Sequence, residues 1–320
     1  MVIELDLKDR KILFELELNA RASASQIGKK TGLSQEVVNY RIKRLEERGV
    51  IKNYMPIIDF FKIGFQAFKM FVQFQHISEE KHKEIVSFLL SKNTNWVVDC
   101  NGWCDLIFAV VTDNISEFEQ IKNEFLEKYS DFVATKTTSI MTETRTSSRV
   151  YLTGKKHKDG SPMAQKSTVK RVEFSKENFV LLRALTKNAR ASVLEISKLT
   201  NLSPRMVNYM MNKLSKEKVI LGYRVSLDLE KIGYKYFKSC LYLGNASEKR
   251  RQALLGYCDS HPNMIHSVVA LADWDIEAEF EVESNEEFYK IVDDIRDKFS
   301  DIVKTIETVM VVKEYRFNYI

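Results

Sequence analysis

The stretch "NARASASQIGKKTGLSQEVVNYRIKRL", residues 19–45, returns in edited form as "NARASVLEISKLTNLSPRMVNYMMNKL", residues 188–214. A phrase of this length repeated at one spacing marks a duplication, and the register extends well beyond it. Arg21 matches Arg190, Tyr40 matches Tyr209 and Gly64 matches Gly233, each pair 169 residues apart. Further along, Asp105 matches Asp275, Phe118 matches Phe288 and Ser130 matches Ser300, each 170 apart. One inserted residue accounts for the change. The chain reads as a tandem duplication.

Inside the phrase the local signals are helical. Upstream, "DLKDRKILFELELN" sets Leu7, Ile12, Leu13 and Leu16 near helical spacing behind an N-cap at Asp6. A short helix from about Ser25 to Thr31 ends at Gly32, and a third helix runs from Ser34 toward Gly49. Helix, helix, tight turn, helix is the helix-turn-helix pattern, and "VIKNYMPIIDFFKIGF" reads as a hairpin-like wing after it. The remainder of the half alternates differently. "FKMFVQFQ", "NWVVDC", "DLIFAVVT" and "FVATKTTSIM" are strand candidates, interleaved with helices in "SEEKHKEIVSFLLSK" and "ISEFEQIKNEFLEKYSD". The order β-α-β-β-α-β indicates a ferredoxin-like domain. The expected architecture is therefore α+β, with winged helix-turn-helix domains at 1–66 and 173–236 and ferredoxin-like domains at 67–152 and 237–320. Between the halves, 153–172 is rich in Lys, Ser, Gly and Pro without apolar periodicity, and reads as an exposed tether whose lysines can touch DNA phosphates.

Bulk properties narrow the class. With 44% hydrophobic and 29% charged residues the composition is that of ordinary globular domains. A net charge of +5 is compatible with a nucleic-acid partner without requiring one. Cys100, Cys104, Cys240 and Cys258 form no Cys-x-x-Cys pair and have no His at zinc spacing, so buried free thiols in a reducing cytoplasm are expected. No signal peptide opens the chain and no apolar run reaches membrane length. The "DWDIEAEFEVESNEE" stretch alternates like a strand carrying solvated carboxylates. No cofactor, metal or catalytic residue is expected.

The third helix carries the functional reading. At 100° per residue, Val38, Ile42 and Leu45 share one stripe facing the core, while Glu36, Tyr40, Lys43 and Glu47 lie opposite, flanked by Asn39 and Arg44. In a helix-turn-helix the N-terminal part of this helix enters the major groove. Gln35, Asn39 and Tyr40 can bond base edges there, and Arg41, Lys43 and Arg44 can pair with phosphates or guanine.

These residues carry a resemblance. "LDLKDRKIL", "NARAS", "IGKKTGLS", "RIKRLEERGVIKNY" and the later "KIG" are similar to the N-terminal half of the leucine-responsive regulator/asparagine-synthetase regulator (Lrp/AsnC) family, and the following domain resembles that family's sensing and oligomer-forming domain. The resemblance implies a double-stranded-DNA-binding transcription regulator that dimerises through its sensing domains, assembles further into homo-oligomers, and takes an amino acid or similar small metabolite as effector. The loop "NGWCDLIFAV" matches the family's Gly-x-x-Asp pattern, so Gly102, Trp103 and Asp105 are the implied effector residues, with Asp275 in the second loop. There Ala272 replaces Gly102.

The second copy departs from the pattern. Arg41 becomes Met210 and Lys43 becomes Asn212, while Arg205, Asn208, Tyr209 and Lys213 remain as candidate DNA contacts. A chain with two heads can build within itself the pair that two identical chains normally supply, its tether raising the effective concentration. That gives an intrachain pseudo-dimer whose heads are free to diverge. The alternative is an enzyme: siroheme decarboxylases share this architecture. The His-Asn-Tyr-type segment they depend on is absent, since the matching places read "NTNWVVDCNGWCDL" and "NMIHSVVALADWDI", with a lone His266.

Overall fold

The computed structural model describes residues 2–154 and 162–320. Positions 155–161 of the expected tether, with their lysines, lie outside the described residues. The chain divides into two compact units, each assembled from both halves of the sequence.

The first unit comprises Met1–Asp59, Ser147–Met163 and Arg171–Tyr234. Its first head contains α1 (Leu7–Leu18), α2 (Ala24–Thr31), α3 (Gln35–Glu47) and β1 (Ile51–Ile58). Asp6 caps α1 by accepting the Asp9 N–H, and Ser23 with Gln26 forms a reciprocal capping box on α2. Gly32 then stops α2 at φ +73°, where no Cβ penalty applies. Val38, Ile42 and Leu45 are buried as their spacing requires, whereas Leu7 is exposed. The second head repeats the plan with α6 (Lys176–Lys187), α7 (Val193–Thr200), α8 (Pro204–Lys216) and β7 (Ile220–Leu227). Here Asn201 takes the left-handed position of Gly32.

The wing differs from expectation. Residues 51–58 form a single strand, and it pairs antiparallel with β7 of the other head, Tyr54 opposite Val225 and Ile58 opposite Ile220. The apolar β-branched residues of "VIKNYMPII" thus find their ladder in the duplicate rather than in a local hairpin. One continuous core results, running from Ile12, Leu16 and Ile27 to Val225, Leu227 and Tyr234.

The second unit comprises Phe60–Thr146, Ala164–Lys170 and Lys235–Ile320. Its first half contains β2 (Gln66–Phe74), α4 (Glu79–Ser91), β3 (Trp96–Gly102), β4 (Leu106–Thr112), α5 (Ile115–Tyr129) and β5 (Val133–Thr146). A short β6 (Met163–Lys166) follows within the expected tether, with Ala164–Lys166 beside β5 and Gln165 buried, so this part is not a solvated spacer. The second half contains β8 (Lys235–Leu243), α9 (Glu248–Ser260), β9 (Met264–Leu271), β10 (Ile276–Val282), α10 (Asn285–Lys298) and β11 (Val303–Phe317).

Each half places its four strands in the order fourth, first, third, second, all antiparallel. The halves join twice, through β3–β11 and β5–β9. Since β5 also pairs with β2, eight strands close into a ring with no free edge among them. Alternation along β2 sends Phe68, Met70 and Val72 toward α4 and α5, while Phe71 joins Trp96, Trp274 and Cys240 on the opposite face. All four cysteines are free and buried. Burial pushes the Cys258 thiol up to about 12, which makes it inert.

One sequence reading is overturned here. The carboxylates of Glu277, Glu279 and Glu281 on β10 are buried, not solvated. Their charge is met from elsewhere in the unit. Lys69 on β2 and Lys238 on β8, which occupy the same repeat position, both reach Glu277 Oε2, at 2.6 and 2.5 Å. Lys238 also binds Glu279, whose other oxygen accepts from the Tyr236 hydroxyl. Trp274 Nε1 and the Ser139 hydroxyl donate to Glu277 Oε1 at 3.3 and 3.2 Å.

Candidate nucleic-acid interface

Ser34 caps α3, its hydroxyl accepting the Val37 N–H, and so fixes where the helix begins. Gln35, Glu36, Asn39 and Lys43 are exposed, and Tyr40 is 67% accessible. Lys43 makes a 3.7 Å contact with Glu47, and both side chains are solvated. Such a pair is worth little and yields readily to a phosphate.

Arg41 and Arg44 behave otherwise. Arg41 Nη1 donates to Asp6 Oδ2 at 2.7 Å and Asp9 Oδ1 at 2.8 Å, and Arg44 Nη2 donates to Asp9 Oδ2 at 2.7 Å. Asp9 is 2% accessible, so its carboxylate needs those cations. The two arginines therefore brace α3 against α1, and their charge is largely spent.

The second head shows the same economy in reverse. Asn178 stands where Asp9 stood and Ser175 where Asp6 stood, and Met210 replaces Arg41 as a buried side chain. With the acids gone, the cation at the Arg44 position is released: Lys213 is exposed, with Glu217 at 4.0 Å its ion-pair partner among the described residues. Arg205, Asn208 and Tyr209 are exposed as well, Tyr209 to 62%. This paired change was legible in the repeat register. Asp9→Asn alone is expected to destabilise the first unit by about 2–4 kcal/mol, because it takes the carboxylate from Arg44 and leaves Asp6 as the acid beside Arg41. Adding Arg41→Met should recover most of that loss, read from urea unfolding by far-ultraviolet circular dichroism.

The residues that sequence reasoning missed are those pairing the heads. Arg21 Nη1 donates to the carbonyls of Ala189 and Ala191 at 2.5 and 2.9 Å, and Arg190 Nη1 donates to those of Ala20 and Ala22 at the same distances. Each guanidinium lies 5.6 Å from a tyrosine ring centre, Arg21 over Tyr223 and Arg190 over Tyr54. The Ala20 N–H donates to Tyr223 O and the Ala189 N–H to Tyr54 O, both at 2.8 Å. The reciprocity gives the duplicated "NARAS" a mechanical role: each copy clamps the other. Its signal was the repetition itself.

The reciprocity is broken at one recess. Ser215 and Gly222 stand where Glu46 and Asn53 stand in the first head. There Glu46 accepts from the Tyr54 hydroxyl at 2.6 Å. In the second head an opening of about 440 Å³ remains, bounded by Ser215, Gly222, Tyr223 and Arg21.

The implied effector residues are largely engaged. Asp105 Oδ2 accepts the Phe74 N–H at 2.7 Å, and Asp275 Oδ2 accepts the Leu243 N–H at 2.8 Å, so each carboxylate caps the end of a strand. Gly102 has φ +149°, and a Cβ there would stand 2.5 Å from the Thr308 carbonyl, so the approach that requires glycine is that of β11. Trp103 stacks on Phe71 with centroids 5.4 Å apart, and its Nε1–H has no hydrogen-bond partner among the described residues.

Two three-helix heads, each with an exposed face on its capped third helix, define the winged helix-turn-helix class. A family profile described as winged helix-turn-helix DNA-binding matches residues 5–52 and again 179–220. The chain belongs to the Lrp/AsnC family of regulators. It is 30% identical over 128 residues to the HTH-type transcriptional regulator FL11 of Pyrococcus horikoshii, covering 40% of this chain and 81% of that protein. It is 34% identical over 91 residues to the HTH-type transcriptional regulator LrpB of Bacillus subtilis, covering 28% of this chain and only 60% of LrpB, less than two thirds of its length. The crystal structure of the siroheme decarboxylase NirDL shares the fold over 98% of this chain and 93% of its own, with a TM-score of 0.63 at 13% identity.

Proposed function

We propose that this chain is a transcription regulator that binds double-stranded DNA and holds two unlike reading heads as one pseudo-dimer. The observation that carries the reading is the reciprocal Arg21 and Arg190 clamp around the β1–β7 ladder, which keeps two helix-turn-helix heads together within a single polypeptide. A pair of heads is what a two-part operator requires. Gln35, Glu36, Asn39 and Tyr40 face base edges in the first head, with Lys43 on phosphate. Arg41 and Arg44 position the helix. In the second head Arg205 and Lys213 supply cations, beside Asn208 and Tyr209. Because the heads differ, the favoured operator is asymmetric.

Fluorescence anisotropy against genomic fragments of increasing salt concentration tests the contacts. Lys43→Ala should weaken binding to all sequences alike and make the slope of log K against log salt shallower by about one. Asn39→Ala should instead relax discrimination at one base pair. Binding that ignores both substitutions would remove α3 from the interface.

An amino acid or similar metabolite at the first sensing loop is supported by one feature, the unsatisfied Trp103 indole N–H, which offers a donor to a carboxylate. Quenching of tryptophan fluorescence by a panel of amino acids tests it. The decarboxylase alternative has the whole-chain fold likeness in its favour, but likeness at 13% identity speaks for fold alone. Stoichiometric uptake of siroheme with release of carbon dioxide would establish that alternative.

A further inference from the structure

We infer that the buried charges form a pairing code, under which each half of this chain accepts the opposite half and rejects a second copy of itself. The inference rests on the intrachain pairing proposed above and says what specifies it. Lys69 and Lys238 are repeat equivalents, so both halves bring an ammonium group into the ring of the second unit. The carboxylates come from one half only. Where β10 has Glu277 and Glu279, β4 has Ile107 and Ala109.

In the mixed pair, two ammonium groups meet two carboxylates, Lys69 on Glu277 and Lys238 on both Glu277 and Glu279. A first half paired with another first half would bury two Lys69 side chains against Ile107 and Ala109, with no acid. A second half paired with itself would set two Lys238 against four carboxylates. Both arrangements strand charge in a dry interior, which is strongly disfavoured.

The first unit carries the same logic independently. Glu17 on α1 is buried and accepts from Arg149 Nη1 at 2.8 Å and Arg224 Nη2 at 2.5 Å. Its repeat equivalent is Thr186, and that of Arg224 is Met55. Two first halves would keep Arg149 beside Glu17 but set Met55 where Arg224 donates, and two second halves would bury two Arg224 against Thr186. The partner each surface fits is thus the complementary half of this chain. A single-unit protein with the first half's features is the wrong partner.

Paired cysteines in the full chain read out the choice. Ile140 on β5 stands opposite Leu271 on β9, and Asn101 on β3 opposite Met310 on β11. Met310 is the repeat equivalent of Ile140, so a pair of first halves would set Asn101 against Ile140. With a short bis-maleimide, Ile140→Cys/Leu271→Cys should crosslink at least tenfold more than Asn101→Cys/Ile140→Cys. Comparable chain-to-chain linking of the second variant overturns the code. In the first variant, adding Glu277→Ile and Glu279→Ala should cut the yield severalfold, and further adding Lys69→Met and Lys238→Met should restore it. An undiminished yield after the first addition, or no recovery after the second, overturns the assignment to charge. Linking of Ile140→Cys/Leu271→Cys between chains would uphold the code while refuting intrachain pairing.

Discussion

Glu277→Gln is expected to lower the unfolding free energy of the second unit by about 3–5 kcal/mol, because it leaves Lys69 and Lys238 sharing too little negative charge in a buried site. Burial by itself would raise the Glu277 carboxyl, but the ammonium groups of Lys238 and Lys69 outweigh it and hold the group at about 2. Glu279, likewise opposed by burial and held by Lys238, also lies at about 2. Lys238, facing two carboxylates, is raised despite burial, whereas burial, joined by the nearby Lys238 ammonium, pulls Lys69 down against the attraction of Glu277. Both glutamates are depressed, so their contribution is complete above about pH 4.5 and is lost as the pH falls toward 2. For Glu277 that amounts to about 3 kcal/mol, of the same order as the cost of the substitution.

The measurement is direct, since Trp96, Trp103 and Trp274 all belong to the second unit and their fluorescence reports its unfolding alone. Urea midpoints should fall steeply below pH 4.5 in the native chain and much less in Glu277→Gln. Replacing all four charged residues by Met, Met, Ile and Ala should regain most of the loss, as apolar substitution of complete buried ion pairs commonly does. A Glu277→Gln chain as stable as the native one would mean that the network contributes nothing.

The second large effect is on DNA. Arg21→Ala combined with Arg190→Ala should reduce affinity for a complete two-part site by about 100-fold, while leaving affinity for an isolated half-site nearly unchanged. The reason lies in geometry. Four carbonyl contacts and two ring contacts hold the heads in one relative placement. With them the second contact is made at high effective concentration, and without them that advantage shrinks. Lysine at both positions keeps the charge but cannot reproduce the planar fork, and should fall between. Equal loss on half-sites and complete sites would assign these arginines to general folding instead.

Much of the local architecture was legible. Capping residues, the stripe Val38, Ile42 and Leu45, and the apolar runs that become β2 and β4 follow from nearest-neighbour chemistry, which a linear pattern records. What was hidden depended on partners far away in sequence. The strand at 51–58 looked like half of a hairpin because its true partner begins at Ile220. The glutamates of β10 looked solvated because Lys69 lies 208 residues earlier. Arg41 and Arg44 looked available for DNA because nothing in their own helix reveals that Asp9 is buried beneath them. The duplication itself offered the remedy, since Asp9 and Arg41 change together to Asn178 and Met210 at matching positions.

The most direct measurement of the central claim is the mass of the complex on a duplex carrying one complete bound site, taken by light scattering and paired with footprinting. The account predicts one chain per duplex, two adjacent protected segments in the groove, and dissociation as salt rises. Two chains for each pair of segments, or no salt-sensitive binding to any genomic duplex, would contradict it.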